Sequence, residues 1–425
     1  MPSETRLPGA RRALALLLAI NLFNYIDRYI LAAVEPEIRK TFFAQGDPDA
    51  MAKTGALATA FLVSYMVAAP LFGWLADRYS RWMLAGFGVA IWSLASGGSG
   101  LATTFTILLL TRVMVGVGEA GYGPAAPTLI ADYYPKAVHG RVLSLFYLAI
   151  PVGSALGYAF GGVISGFLGW RWPFYLVTVP GLALAALCYC LPEPRSMLRA
   201  ASRSTSNASF REGLRGLLKN RSYLFNTAAM TAMTFAIGGL SFWIPSYIHE
   251  FRGQPDLAKI NVSFGAITVV AGLLATVLGG YVADRVKKHH PGAYFLVSGI
   301  GILIAFPVTI GMLFTPFPWF WGMLFLAEFF LFFNTGPANA ALVNVTAPTI
   351  RATAFAVNIF VIHALGDAIS PPLIGAISDR WKMNAAFLTV SAMIAVAGLL
   401  WLLGARYLQN DTVTCLLYTS PSPRD

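Results

Sequence analysis

Charge is what this sequence has least of. Only 12% of its 425 residues are Asp, Glu, Lys or Arg, and the acids number 19. A soluble domain carries about 25% charge, so a water-facing surface cannot be built from this chain and a soluble fold is excluded. Cysteine is scarce too: Cys188, Cys190 and Cys415 make no disulfide framework. Also missing are the Gly-x-x-x-x-Gly-Lys-Ser/Thr phosphate loop, the His-Glu-x-x-His zinc pair and the Gly-x-Ser-x-Gly nucleophile elbow. Neither ATP-driven work nor hydrolysis is expected, and the chain does not read as an enzyme.

What is abundant is apolar length. The chain is 57% hydrophobic, with a mean hydropathy of +0.64. Runs long enough to cross a bilayer recur at 13–34, 54–76, 83–103, 107–130, 141–168, 173–191, 223–248, 262–283, 293–314, 318–345, 351–377 and 385–407. Hydrocarbon offers the backbone no hydrogen-bond partner, so each run is predicted to be a helix. The fold class is an all-α membrane protein with 12 transmembrane helices.

The net charge of +11 is sorted by side. With both termini cytoplasmic, the outer loops hold only Arg39, Lys40, Lys53, Arg171, Arg252, Lys259, Arg380 and Lys382, and most other Lys and Arg face inward. That is the positive-inside bias. The basic excess answers to topology and to anionic membrane lipids, and nucleic acid is not an expected partner. The first run continues through Asn21, Asn24, Asp27 and Arg28, which suits a retained helix better than a cleaved signal. An inner (plasma) membrane location and a monomer are expected.

The stretch 192–222 is Ser- and Arg-rich and has no span. It reads as a cytoplasmic linker between six-helix bundles at 1–191 and 223–408, with a short amphipathic helix at Phe210–Leu218 on the membrane. A lipid-sensing role for that patch is the alternative. Residues 409–425 are expected to be a disordered tail, and 415–425 read like the translation of a sequencing adapter, an artefact of the gene record.

A few ions inside the apolar runs carry the functional signal. A charged residue at mid-membrane costs about 2.5–3.5 kcal/mol on insertion scales, so such groups face the protein interior and mark ion or substrate routes. Arg112 and Glu119 are seven residues apart and share a helix face. At 1.5 Å per residue, Asp27 falls ~21 Å from the cytoplasmic end of the first helix, between the depths of Glu119 and Arg112. A carboxylate there can pair with Arg112 when charged and release it when protonated; a static clamp between helices is the alternative. In the second half the ionisable candidates are Glu328, His363 and Asp367. The last two are four apart on one helical face, and metal binding is not expected there.

The halves also echo each other. Gly73-Trp74-Leu75-Ala76-Asp77-Arg78-Tyr79-Ser80-Arg81 matches Gly280-Tyr281-Val282-Ala283-Asp284-Arg285-Val286-Lys287-Lys288, and Gly123-Pro124-Ala125 matches Gly336-Pro337-Ala338. Two pseudo-symmetric six-helix bundles follow. In these loops glycine permits close helix approach, and the acid can face a neighbouring helix N-terminus. Gly153, Gly157 and Gly161 recur every four residues, a spacing for tight helix packing.

The Gly-x-Leu-Ala-Asp-Arg loop resembles the signature loop of the major facilitator superfamily, and Arg112-x-x-x-Gly116-x-Gly118-x-Ala120 is similar to its fourth-helix motif. The glycines of the fifth span are similar to its antiporter signature, except that Pro151 precedes Gly153 instead of following a glycine. More narrowly, Asn24-Tyr25-Ile26-Asp27-Arg28-Tyr29, Gly118-Glu119-Ala120-Gly121-Tyr122 and His363-Ala364-Leu365-Gly366-Asp367 resemble spinster-type lipid transporters. The resemblance implies a secondary transporter working by alternating access. Its cargo would be an amphiphilic lipid, driven by a proton gradient with no bound cofactor. It assigns coupling and substrate contact to Asp27, Arg28, Arg112 and Glu119, with Asn24, Tyr25 and Tyr122 beside them. Gating falls to Gly73, Asp77, Arg78, Arg81, Asp284 and Arg285. The other reading is a proton-linked importer of small organic anions such as hexuronates, in which Arg28 and Arg112 grip a carboxylate.

Overall fold

The computed structural model describes residues 6–135, 138–194, 210–346 and 350–417. Their regular structure is helical throughout. In chain order it comprises α1 (Ala10–Ala33), α2 (Glu35–Phe42), α3 (Ala50–Arg78), α4 (Arg81–Gly100), α5 (Phe105–Tyr122), α6 (Ala125–Tyr133), α7 (His139–Tyr147), α8 (Ala149–Leu168) and α9 (Trp172–Cys188). The second part adds α10 (Phe210–Lys219), α11 (Arg221–Ser246), α12 (Leu257–Lys287), α13 (Ala293–Phe314), α14 (Trp319–Phe332), α15 (Thr335–Asn344), α16 (Arg351–Ile362) and α17 (Ser370–Leu417). Single π turns, Tyr247–Phe251 and His363–Asp367, extend α11 and α16.

All twelve predicted spans appear, several of them broken. The fourth is interrupted between α5 and α6, the fifth between α7 and α8, and the tenth between α14 and α15. Proline accounts for each break. Pro124, Pro151 and Pro337 have no N–H for the carbonyl four residues back, and their rings crowd it. The echoed Gly-Pro-Ala triplets therefore lie at equivalent breaks in the two halves.

The eleventh span comprises α16, its π turn and the start of α17, which runs on through the twelfth and is divided at Lys382, whose backbone takes φ 71, ψ 158. The expected disordered tail is corrected in part, because helix continues to Leu417 and only 418–425 lie outside the described residues. The Asp411 carboxylate accepts from the Ser222 N–H at 2.7 Å, capping the start of α11 and holding this extension in place. The linker keeps its amphipathic helix as α10, and its residues 195–209 lie outside the described residues.

The chain divides into two compact units. One comprises Met1–Arg203 with Phe242–Val269, the other Ser204–Ser241 with Val270–Asp425. In the first, the third span α4 packs mainly on α5 and α9, and α1 packs on α8. The second repeats the plan, with the ninth span α13 packing on α14 and α17. Glycine sets the close approaches. A Cβ on Gly153, Gly157 or Gly161 would stand 2.6–2.8 Å from atoms of α1, so the glycine face of α8 is the surface on which α1 lies. Gly116 meets Phe61 and Ser64 of α3, and Gly279 meets Phe333 beyond α14, the same span pair in each half.

Candidate functional site

The buried charges of the first unit come from α1 and α5, with α4 supplying small hydroxyls between them. Asp27 and Arg28 are neighbours on α1, so they point to different sides and meet different partners. Arg28 Nη2 donates to Glu119 Oε2 at 2.5 Å. Asp27 accepts from the Ser96 hydroxyl of α4. Arg112 Nη2 donates to Ser99 Oγ at 2.6 Å, and that hydroxyl also lies 2.7 Å from Thr111 Oγ1. The expected Asp27–Arg112 ion pair is therefore not formed. Ser96 and Ser99 are one helical step apart on α4, and each takes one of the two charges, so both ions are hydrogen-bonded to hydroxyls instead of to each other.

The network is left incomplete. Asp27 Oδ2, Arg112 Nε, Glu119 Oε1 and Arg28 Nε are buried with no hydrogen-bond partner among the described residues. An unanswered polar atom at such depth is costly. Exposure separates the four: Asp27 is 1% exposed, Arg112 and Glu119 each 2%, but the Arg28 side chain is 26% exposed. Arg28 is the charge a solute can reach. Aromatic faces surround it, with the Tyr25 ring centroid 5.0 Å and the Phe61 centroid 4.7 Å from its guanidinium carbon.

The remaining first-half residues support this centre. Asn24 is buried and faces the Glu119 carboxylate. Tyr122 donates to the Leu17 carbonyl at 2.7 Å, which ties the end of α5 to α1. Arg112 lies over the Phe174 ring of α9 at 5.3 Å. The hydroxyls and Phe174 were missed from sequence. Their one signal is the i, i+3 spacing of Ser93, Ser96 and Ser99, a small polar stripe in an otherwise apolar span.

In the second unit the predicted His363–Asp367 pair is present, with Nδ1 to Oδ1 at 3.0 Å inside a π turn. Gly238 of α11 makes room for it, since a Cβ there would stand 2.4 Å from that of Asp367. Glu328 is buried on α14.

The loop residues behave unevenly. A Cβ on Gly73 would meet nothing within 4 Å, so close helix approach does not explain that glycine here. The Asp77 side chain lies outside the described residues. Arg78 folds back on its own helix, donating to the Trp74 carbonyl and lying over its ring. Arg81 is the anchored member: its N–H donates to Glu193 Oε2 at 2.8 Å and its Nη1 to Asp132 Oδ2 at 2.6 Å. In the echoing loop, Asp284 accepts from the Tyr294 hydroxyl at 3.1 Å, and Arg285 donates to Tyr281. Glu193 and Asp132 were not singled out from sequence, because a lone acid at a helix end looks like any solvated residue.

Comparison with known proteins bears on this arrangement. The profile of the Major Facilitator Superfamily matches residues 17–371. The chain is 34% identical to protein spinster homolog 3 of Danio rerio, over 96% of this chain and 87% of the relative. It is 38% identical to protein spinster homolog 1 of Homo sapiens, over 89% and 75%. A solved bacterial homolog to the human lysosomal transporter Spinster, in an inward-facing and unoccupied conformation, superposes with a TM-score of 0.81. That match is at 21% identity and covers 99% of this chain and 100% of the other.

Proposed function

Because the chain belongs to the Major Facilitator Superfamily, as a multi-pass membrane transporter of the spinster type, we propose that it carries an amphiphilic, lipid-like substrate by alternating access in exchange for proton movement. The observation that carries the reading is the competition at Arg28. Its guanidinium is held by Glu119, is partly open, and is flanked by Tyr25 and Phe61. An anionic head group binds a guanidinium through the same charge-assisted bonds a carboxylate uses. The aromatic faces beside it suit an apolar tail. A proton arriving at Glu119 removes the carboxylate's claim on Arg28 and frees it for the head group. Loss of that proton restores the pair and expels the cargo.

Asp27 and Arg112 extend the exchange. Each has one unanswered polar atom, so a small shift of α1 against α5 can form the direct pair that the serines now prevent. The carrier needs no cofactor beyond the proton gradient. We place it as a monomer in the inner membrane, with both termini cytoplasmic and His363 and Asp367 as a secondary site for the substrate or proton.

Flux in proteoliposomes tests this. A labelled lysophospholipid should accumulate against its gradient when a pH difference is imposed, and labelled hexuronate should not. Glu119→Gln should abolish the uphill phase while exchange at equal pH persists. Hexuronate accumulation with no lysolipid flux would establish the small-anion importer instead.

A further inference from the structure

In the second unit the start of α11 meets the far end of α17, and two arginines converge there on one ring. Arg221 Cζ lies 5.1 Å and Arg406 Cζ 4.8 Å from the Tyr407 centroid. Phe225 stacks on the same ring at 5.6 Å. Arg221 and Arg406 are both exposed. Neither has a carboxylate within ion-pairing distance among the described residues. Asp411, one turn beyond Tyr407, is committed to the Ser222 N–H. The exposed Lys219 precedes Arg221 by two positions and adds a third cation.

Packing holds the two arginines in place. Gly404 lets the helices touch, since a Cβ there would stand 2.8 Å from that of Phe225. The Asp411 cap joins the same helices again on the other side of Tyr407. Two cations fixed on one ring repel, and an anion between them replaces that repulsion with charge-assisted hydrogen bonds. The forked N–H groups of arginine match the oxygens of a phosphate. Deeper along both helices the surface turns apolar. Leu224 stands three residues from Arg221, and Leu403 and Leu399 stand three and seven from Arg406, all of them exposed. At that spacing the leucines lie on the same helix faces as the guanidiniums. Cations at the helix ends above bare leucines complement a phosphate at the interface with acyl chains beneath it. A free anion would use the arginines alone.

We propose that Arg221, Arg406 and Tyr407 bind the phosphate of an anionic glycerophospholipid, which clips the start of α11 to the end of α17. The site shares no residue with the charges of the first unit, and it holds a resident lipid whatever the transported cargo.

The test uses full-length protein in a neutral detergent. Dioleoyl phosphatidylglycerol should raise the thermal midpoint saturably, and native mass spectrometry should retain it on the protein. Dioleoyl phosphatidylcholine and inorganic phosphate should do neither. Arg221→Gln with Arg406→Gln should weaken the apparent affinity about ten-fold or more and strip the retained lipid. Arg221→Lys with Arg406→Lys keeps the charge, spares the fold, and should recover part of that affinity. Arg11→Gln with Arg12→Gln removes the same charge at the start of α1 and should leave the affinity unchanged. Full affinity in the glutamine pair would overturn the site, as would an equal loss in the α1 variant. An equal shift with phosphatidylcholine or with inorganic phosphate would overturn the anionic lipid as its occupant. The assay measures no flux, so its failure is distinct from failure of the transport reading.

Discussion

Removing either partner of the Arg28–Glu119 pair leaves the other without its opposite charge. Such a loss costs about 3–5 kcal/mol when the pair is buried, and Glu119 is 2% exposed. Arg28→Met should therefore lower the thermal midpoint in detergent markedly. Adding Glu119→Gln should recover at least half of the loss, because the second change removes the stranded carboxylate. Independent, additive losses would show that the two side chains do not act as a pair. Ser96 makes a different prediction. Ser96→Ala deletes the hydroxyl on Asp27 and leaves Arg112, across the gap, as the natural partner. The expected outcome is a folded protein whose uphill flux has a shifted pH profile, read in the same proteoliposome assay. An unchanged profile would mean that Ser96 does not set the protonation of Asp27.

Among elements, the joint between α1 and α8 decides where Asp27 and Arg28 sit. A Cβ on Gly157 would stand 2.6 Å from the Ile26 carbonyl, one residue before Asp27. Gly157→Ala should cost about 1–3 kcal/mol as an overpacked contact and should impair flux beyond its effect on stability. Gly73→Ala is the control: nothing lies within 4 Å of the added carbon, so folding should be unaffected. The junction inside α17 carries strain of its own. Lys382 at φ 71, ψ 158 occupies a region that is nearly reserved for glycine and costs about 1–3 kcal/mol. Lys382→Gly should raise the thermal midpoint, and a lower midpoint would show that the side chain contributes more than the backbone loses.

At the scale of the whole molecule, the compact units do not coincide with the halves of the repeat. Residues 1–203 alone would lack Ser246 and Glu250, the partners of Glu35 and Arg39, and Asn261, the partner of the Ala33 carbonyl. They would also expose Tyr158, whose ring meets Phe264 at 4.8 Å. Expressed alone, 1–203 should aggregate on detergent extraction, and co-expression with 204–425 should restore a monodisperse complex on size exclusion. A well-behaved 1–203 fragment would show that the shared segment is dispensable for folding.

The twelve spans, their helical nature and the 6+6 echo were legible in the sequence, because hydrocarbon leaves the backbone one means of satisfying itself and apolar length is a local property. The motif loops and the ions at Asp27, Arg28, Arg112 and Glu119 were legible for the related reason that charge in an apolar run is conspicuous. Which ion meets which was not legible. The rotation of α1 against α4 and α5 put Arg28 on Glu119 and two serines between Asp27 and Arg112, and that rotation is set by glycine contacts such as Gly157 with Ile26. The serine stripe of α4 has a spacing signal that says nothing of its partners, and lone helix-end acids have none, so Ser96, Ser99, Asp132 and Glu193 acquired partners only through packing. Local chemistry determined the helices and where charge interrupts them; the pairing of charges across more than 90 positions was decided by tertiary structure alone.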